Sequence, residues 1–156
     1  MAKGDLIPHD NHVLRHVGKS KVEQDGRVNG AAFMLRSCEE GLSVQWRQAA
    51  GDGSVADQLQ AILRVLSARR KVRKTDYLVE LPVGQTRARV LESARQLTLE
   101  VELRFEHHPI EQDEFGPEDP FHSEIRGIPE LEEGVAMALG DIIAECVSSQ
   151  YSVNAI

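Results

Sequence analysis

The sequence predicts an α+β fold, a mostly antiparallel sheet of about five strands with two main helices packed on one face. Three stretches carry that prediction. Residues 97–105 alternate apolar and polar at period two, while residues 55–66 and 131–146 repeat apolar side chains at helical spacing. At 156 residues, 41% of them hydrophobic, the chain is expected to form a single domain over 1–156, with 1–10 as a flexible tail and 106–129 as a long acidic loop.

The first element in chain order is His12–Val17, short and apolar-rich between Asn11 and Gly18, which reads as a strand. An Asp25-Gly26 turn signal follows. Residues 31–36 and 42–46 read as two further strands around a polar turn at Cys38–Gly41. In the second of these Leu42, Val44 and Trp46 alternate with Ser43 and Gln45, giving one dry and one wet face. Val55, Leu59, Ile62, Leu63 and Leu66 then fall on one helical face, with Ser54 placed as N-cap and Asp57 in the first turn, so a helix is predicted over 54–70. Tyr77–Leu81 reads as a strand ended by Pro82, and Thr86–Ala94 as a shorter helix. Leu97, Leu99, Val101, Leu103 and Phe105 alternate with polar residues, as in a strand with one face on the core. From 106 to 129 the stretch is too rich in proline and acid for regular structure, and a loop of that length is functional or mobile. The last helix, predicted over 130–147, carries Leu131, Val135, Leu139, Ile142 and Cys146 on one stripe, with Pro129 near its start.

The net charge of −7 is unevenly spread. Residues 1–105 hold 17 Lys and Arg against 13 Asp and Glu, whereas 106–133 hold ten acidic residues and a single base, Arg126. The acidic balance argues against a general nucleic-acid coat, although the basic run Arg69-Arg70-Lys71-Val72-Arg73-Lys74 leaves an acidic or nucleic-acid partner open. That run also suits the negative end of a helix, and the basic and acidic blocks could pair with each other in the folded state. No apolar stretch approaches a membrane span, and the first residues have no apolar leader core. Two distant cysteines, Cys38 and Cys146, form neither a disulfide framework nor a metal pair, which suits a cytoplasmic setting. Cys38, flanked by Glu39 and Glu40, is poorly placed as a nucleophile.

No phosphate-binding glycine loop, dinucleotide fingerprint or nucleophile elbow occurs in the sequence. Gly51-Asp52-Gly53-Ser54 reads as a helix-entry turn, since Asp52 would repel a phosphate. The histidines are the residues closest to chemistry. His12 and His16 share one strand face at about 13 Å, too far apart for one ion. His108, Asp119 and His122 offer imidazole and carboxylate donors of the kind that bind zinc or manganese. Arg15 alternates with Leu14 and His16 and could hold an anion if it faces a cleft. Glu100 and Glu102 share a strand face at acid/base distance, but that face is expected to be solvated.

Asp10–Val17, Ala31–Arg36 and Gly41–Trp46, together with Asp119–Pro129 and the closing helix, resemble a group of small bacterial proteins of no assigned activity. Members of that group look like accessory proteins of mobile or defence-type gene clusters. His16 departs from it, standing where the group often has tyrosine. The resemblance implies a bacterial, cytoplasmic, single-domain protein. The segregation of charge and the missing catalytic motifs make the expected function a non-catalytic interaction module without a cofactor, whose partner is a larger protein from the same gene cluster. It would use Asp113, Glu114, Glu118 and Asp119 of the loop, and Arg69, Arg70, Lys71 and Arg73 of the basic run. The alternative is a small metal-dependent hydrolase or transferase built on Arg15, His108, Asp119 and His122.

Overall fold

Apolar residues at consecutive positions, Val13-Leu14 and Leu78-Val79, bury two strands from both sides and place them inside the sheet. The computed structural model describes residues 2–156. Its strands are β1 (His12–Val17), β2 (Leu42–Trp46), β3 (Tyr77–Pro82), β4 (Arg104–His107), β5 (His122–Arg126) and β6 (Ser149–Ser152). They form one antiparallel sheet in the order β4-β5-β2-β1-β3-β6. The helices are α1 (Val55–Arg69), α2 (Val83–Ser93) and α3 (Glu133–Ala144). The α+β class and antiparallel sheet match the sequence reading, with six strands where about five were expected.

Both faces of the sheet are covered. On one, α1 lays Leu59, Ile62 and Leu66 over Leu14 and Leu78. On the other, Leu139 and Ile143 of α3 and Val90 of α2 pack with Val13, Val79, Leu81, Phe105 and Ile125. The two main helices therefore lie on opposite faces and not on one, because the doubled apolar positions of β1 and β3 leave neither side wet. Each fully buried side chain of this size contributes about 1.5–3 kcal/mol. Ser54 caps α1 as predicted, its hydroxyl accepting from the Asp57 amide at 3.1 Å.

Several expectations are corrected. Residues 30–33 form a 3-10 turn instead of a strand. Gly30 is drawn onto α3, where its amide donates to Asp141 at 2.9 Å. Of the alternating stretch 97–105, only Arg104 and Phe105 belong to a strand. Thr98 at φ +61° interrupts the chain after a 3-10 turn. Val101 and Leu103 are still buried between exposed Glu100 and Glu102, so the alternation records burial without a ladder. Helix α3 starts at Glu133, capped by the Glu132 carboxylate on the Val135 amide at 2.7 Å, so Pro129 lies outside its first turn.

The long acidic loop is shorter than expected. β4 runs on to His107, and β5 lies between β4 and β2. β5 escaped a hydrophobic reading because His122, Glu124 and Arg126 line one face, leaving Ile125 as its large apolar residue. Residues 4–7 do not hang free as a tail. The Ile7 amide donates to the Phe105 carbonyl at 2.8 Å, and the Ile7 side chain is buried. The chain thereby covers the outer edge of β4, which would otherwise leave backbone groups unpaired. β6, a polar Ser-Gln-Tyr-Ser strand, pairs with β3 on the other edge.

One irregularity sits at the centre. β1 and β3 pair along six residues, but β1 and β2 share only Val13↔Trp46 and Leu14↔Gln45. Beyond Leu14 the two strands part.

Candidate functional site

The β4–β5 connection, residues 108–121, is the acidic segment. It begins as a narrow ladder, with Ile110 and Asp119 exchanging backbone hydrogen bonds at 2.9 and 2.8 Å. Its tip is a tight turn in which Asp113 and Gly116 bond each other's backbone at 3.1 and 3.3 Å. The Asp113 carboxylate also accepts from the Phe115 amide at 2.9 Å, an Asx turn. Arg69, the last residue of α1, holds this turn. It donates to both Asp113 carboxylate oxygens at 2.9 Å and to the Pro117 carbonyl. These hydrogen bonds hold the Asp113 carboxyl below the usual aspartate range, against a small opposing effect of burial. Gly116 stands at φ +152°, and a Cβ there would meet the Ala68 carbonyl at 3.0 Å, so the tip abuts α1 directly.

The clamped turn displays an aromatic ring. Phe115 is 70% exposed, while Glu111, Asp113, Glu114 and Glu118 around it are also at the surface. Of the acidic residues expected to meet a partner, Asp113, Glu114 and Glu118 are exposed in this turn. Asp119 is 2% exposed and faces inward. In the basic run Arg69 is spent on the loop, joining the two charged blocks, whereas Arg70, Lys71 and Arg73 are exposed.

His108, Asp119 and His122 are neighbours, but each is committed. Nδ1 of His122 donates to the His108 carbonyl at 2.8 Å, which leaves Nε2 to accept from the Ser43 hydroxyl at 3.1 Å. His108 donates from Nε2 to Glu106 at 2.9 Å. Asp119 accepts from Gln45 at 3.0 Å and from the Phe121 amide at 3.1 Å. Among the described residues no group of three His, Cys, Asp or Glu side chains is arranged to hold a metal ion. Arg15 does not join them. Register places Gln45 opposite both Leu14 and His122, so these share a face, and Arg15 leaves β1 on the other.

Arg15 instead reaches into the gap where β1 and β2 part. Its Nε donates to the Ala32 carbonyl at 2.6 Å and its Nη1 to the Ser43 carbonyl at 2.7 Å. The other histidines of β1 are structural. His16 bonds buried Asp76 at 2.8 Å. Nδ1 of His12 accepts from Arg47 at 3.0 Å and from Gln48 at 2.9 Å. Arg47 lies 3.1 Å from Glu80, forming a buried ion pair beneath α1. His107, also buried, meets the Trp46 ring edge-on at 5.2 Å.

Comparison with protein-family models, with curated proteins and with solved structures returned no match. No helix among the described residues is long and apolar enough to cross a membrane. The site residue that sequence reasoning missed is Phe115. Its signal was a single aromatic between Glu114 and Gly116 in an otherwise polar stretch, at a position with no periodic partner to bury it.

Proposed function

We propose that this protein is a non-catalytic interaction module, an accessory subunit that docks on a larger protein through the 108–121 connection. The observation that carries this reading is Phe115, an aromatic ring held 70% exposed on a turn that Arg69 clamps to α1. Ordering such a turn before binding removes a cost that association would otherwise meet. Aromatic side chains, Phe among them, are enriched in interfaces, where a few anchors seated in partner pockets carry most of the binding energy. With Asp113 neutralised by Arg69, the exposed carboxylates of Glu111, Glu114 and Glu118 around Phe115 suit a partner with a basic surface and an apolar pocket at its centre. The resemblance to accessory proteins of defence-type gene clusters directs the search to the products of neighbouring genes. Free Cys38 and Cys146 support a reducing, cytoplasmic setting.

The test is co-purification of the full chain with each neighbouring product, followed by titration of any complex. Phe115→Ala is expected to weaken it about 30-fold or more while leaving the melting temperature unchanged. Glu114→Lys with Glu118→Lys should slow association and reverse its salt dependence. Complex formation that tolerates both changes would overturn the reading.

A second reading, different from the metal-dependent enzyme expected from the sequence, is a hydrolase built on Ser43 and His122. Ser43 lies 3.1 Å from Nε2 of His122, the geometry of a hydroxyl nucleophile beside its base. Turnover of an activated ester, lost in both Ser43→Ala and His122→Gln, would support it. Turnover that survives Ser43→Ala would exclude it.

A further inference from the structure

The gap between β1 and β2 opens into a cleft of about 520 Å³. It is lined by four permanent cations, Arg15 from β1, Lys21, Arg36, and Arg70 just after α1, and among the described residues by one carboxylate, Glu39. Glu39 is partly committed, since it accepts from the Arg36 amide at 2.6 Å. A cleft this cationic in a chain of net charge −7 is a local concentration of charge against the bulk trend.

Arg15 is the group at its base. Both of its hydrogen bonds go to carbonyls, at 2.6 and 2.7 Å. A guanidinium has five N–H donors, so three are left without a protein partner among the described residues. Those carbonyl contacts fix its plane and present a preformed fork. Burial pushes the Arg15 guanidinium down to about 10; Glu39 works against this, and the like charges of Arg70 and Arg36 reinforce it. An anion among these groups would relieve that repulsion.

We propose that the gap between β1 and β2 binds a small phosphorylated molecule, its phosphate on Arg15, Arg36 and Arg70. An excess of about three positive charges matches a multiply charged phosphate better than a single carboxylate. The cleft is far larger than a phosphate alone and falls in the size range of metabolite sites, about 300–1,000 Å³. Met34 and Leu35 line one wall and offer apolar contact to the organic part. This site is separate from the Phe115 turn and stands whether or not that turn binds a partner.

Calorimetry on the full chain would compare inorganic phosphate, sulfate, pyrophosphate, nucleoside monophosphates, a hexose phosphate, the unphosphorylated nucleosides and an eight-residue oligodeoxythymidylate. Saturable binding of at least one phosphate ester, absent for its unphosphorylated counterpart and weakened by salt, is the expected result. Arg36→Gln and Arg70→Gln should each weaken it about threefold, and together about tenfold. Arg15→Lys should weaken it further. If Arg15→Lys fails to fold, the two exposed arginines carry the test. No saturable binding, or binding indifferent to Arg36→Gln and Arg70→Gln, overturns the proposal. So does a cleft that takes phosphate and sulfate alike and gains nothing from an organic part. Binding of the oligonucleotide without any mononucleotide would reassign the cleft to nucleic acid and overturn it as stated.

Discussion

Arg69 grips both oxygens of the Asp113 carboxylate at 2.9 Å, joining the end of α1 to the tip of an acidic turn 44 residues further along. Together with the bond to the Pro117 carbonyl, this converts a proline-punctuated stretch into a fixed display for Phe115.

Loss of that grip should free the turn without unfolding the protein. Arg69→Gln is expected to abolish amide protection over 113–118 in hydrogen exchange and to leave the strands protected. The Asp113 carboxyl is held low by Arg69, so its contribution is present above the ordinary aspartate value and disappears as pH falls through the lower folded value. Protection in the turn should thus survive at pH 5 and fade below about pH 4.

The buried pair of Arg47 and Glu80, 3.1 Å apart, makes a sharper demand. Glu80→Ala leaves the Arg47 charge without its partner and should destabilise by about 3–5 kcal/mol in urea unfolding. Replacing both, with Arg47→Met and Glu80→Leu, is expected to recover most of that loss, because neither desolvation penalty is then incurred.

His12 makes folding sensitive to mild acid. Burial pushes its pKa down, Arg47 adding to the effect against Glu80 and Asp10, and its Nδ1 must stay unprotonated to accept from Arg47 and Gln48. A histidine lowered in the folded state stabilises above its unfolded value and loses that contribution as pH drops below about 6.5. Unfolding free energy should therefore decline between pH 7 and 5, and His12→Gln should flatten that slope. An unchanged slope in the variant would assign it to other groups.

The contact between α3 and the turn at Gly30 admits no side chain. A Cβ on Gly140 would fall well inside contact distance of the Gly30 carbonyl oxygen. Gly140→Ala is expected to destabilise by about 1–3 kcal/mol, lowering the melting temperature by several degrees. A variant as stable as the parent would mean that α3 can shift outward freely.

The local code of the elements was legible wherever one element buried its own face. Helix α1 follows from the 3.6-residue spacing of Leu59, Ile62 and Leu66 and from the Ser54 cap, both properties of a short window. β1 and β3 follow likewise from compact apolar runs, and β2 from the alternation of Leu42, Val44 and Trp46 with Ser43 and Gln45. β5 and β6 were not legible, because an inner strand bearing His122, Glu124 and Arg126 is stable only when its neighbours supply polar partners, and those come from distant segments.

What the sequence determined by itself was the class of fold, the place of the helices along the chain and the segregation of charge into a basic body and an acidic stretch. Only the tertiary structure decided which charges are spent and which are offered. Arg69 and Asp113 neutralise each other, Asp119 turns inward, and Phe115 is left outside. Arg15 is separated from His122 by the sheet itself and brought to Arg36 and Arg70 instead. The physical reason is that periodicity acts over neighbours along the chain, whereas the partner of a charge is chosen by register and strand order, and the parting of β1 from β2 is written in no single segment.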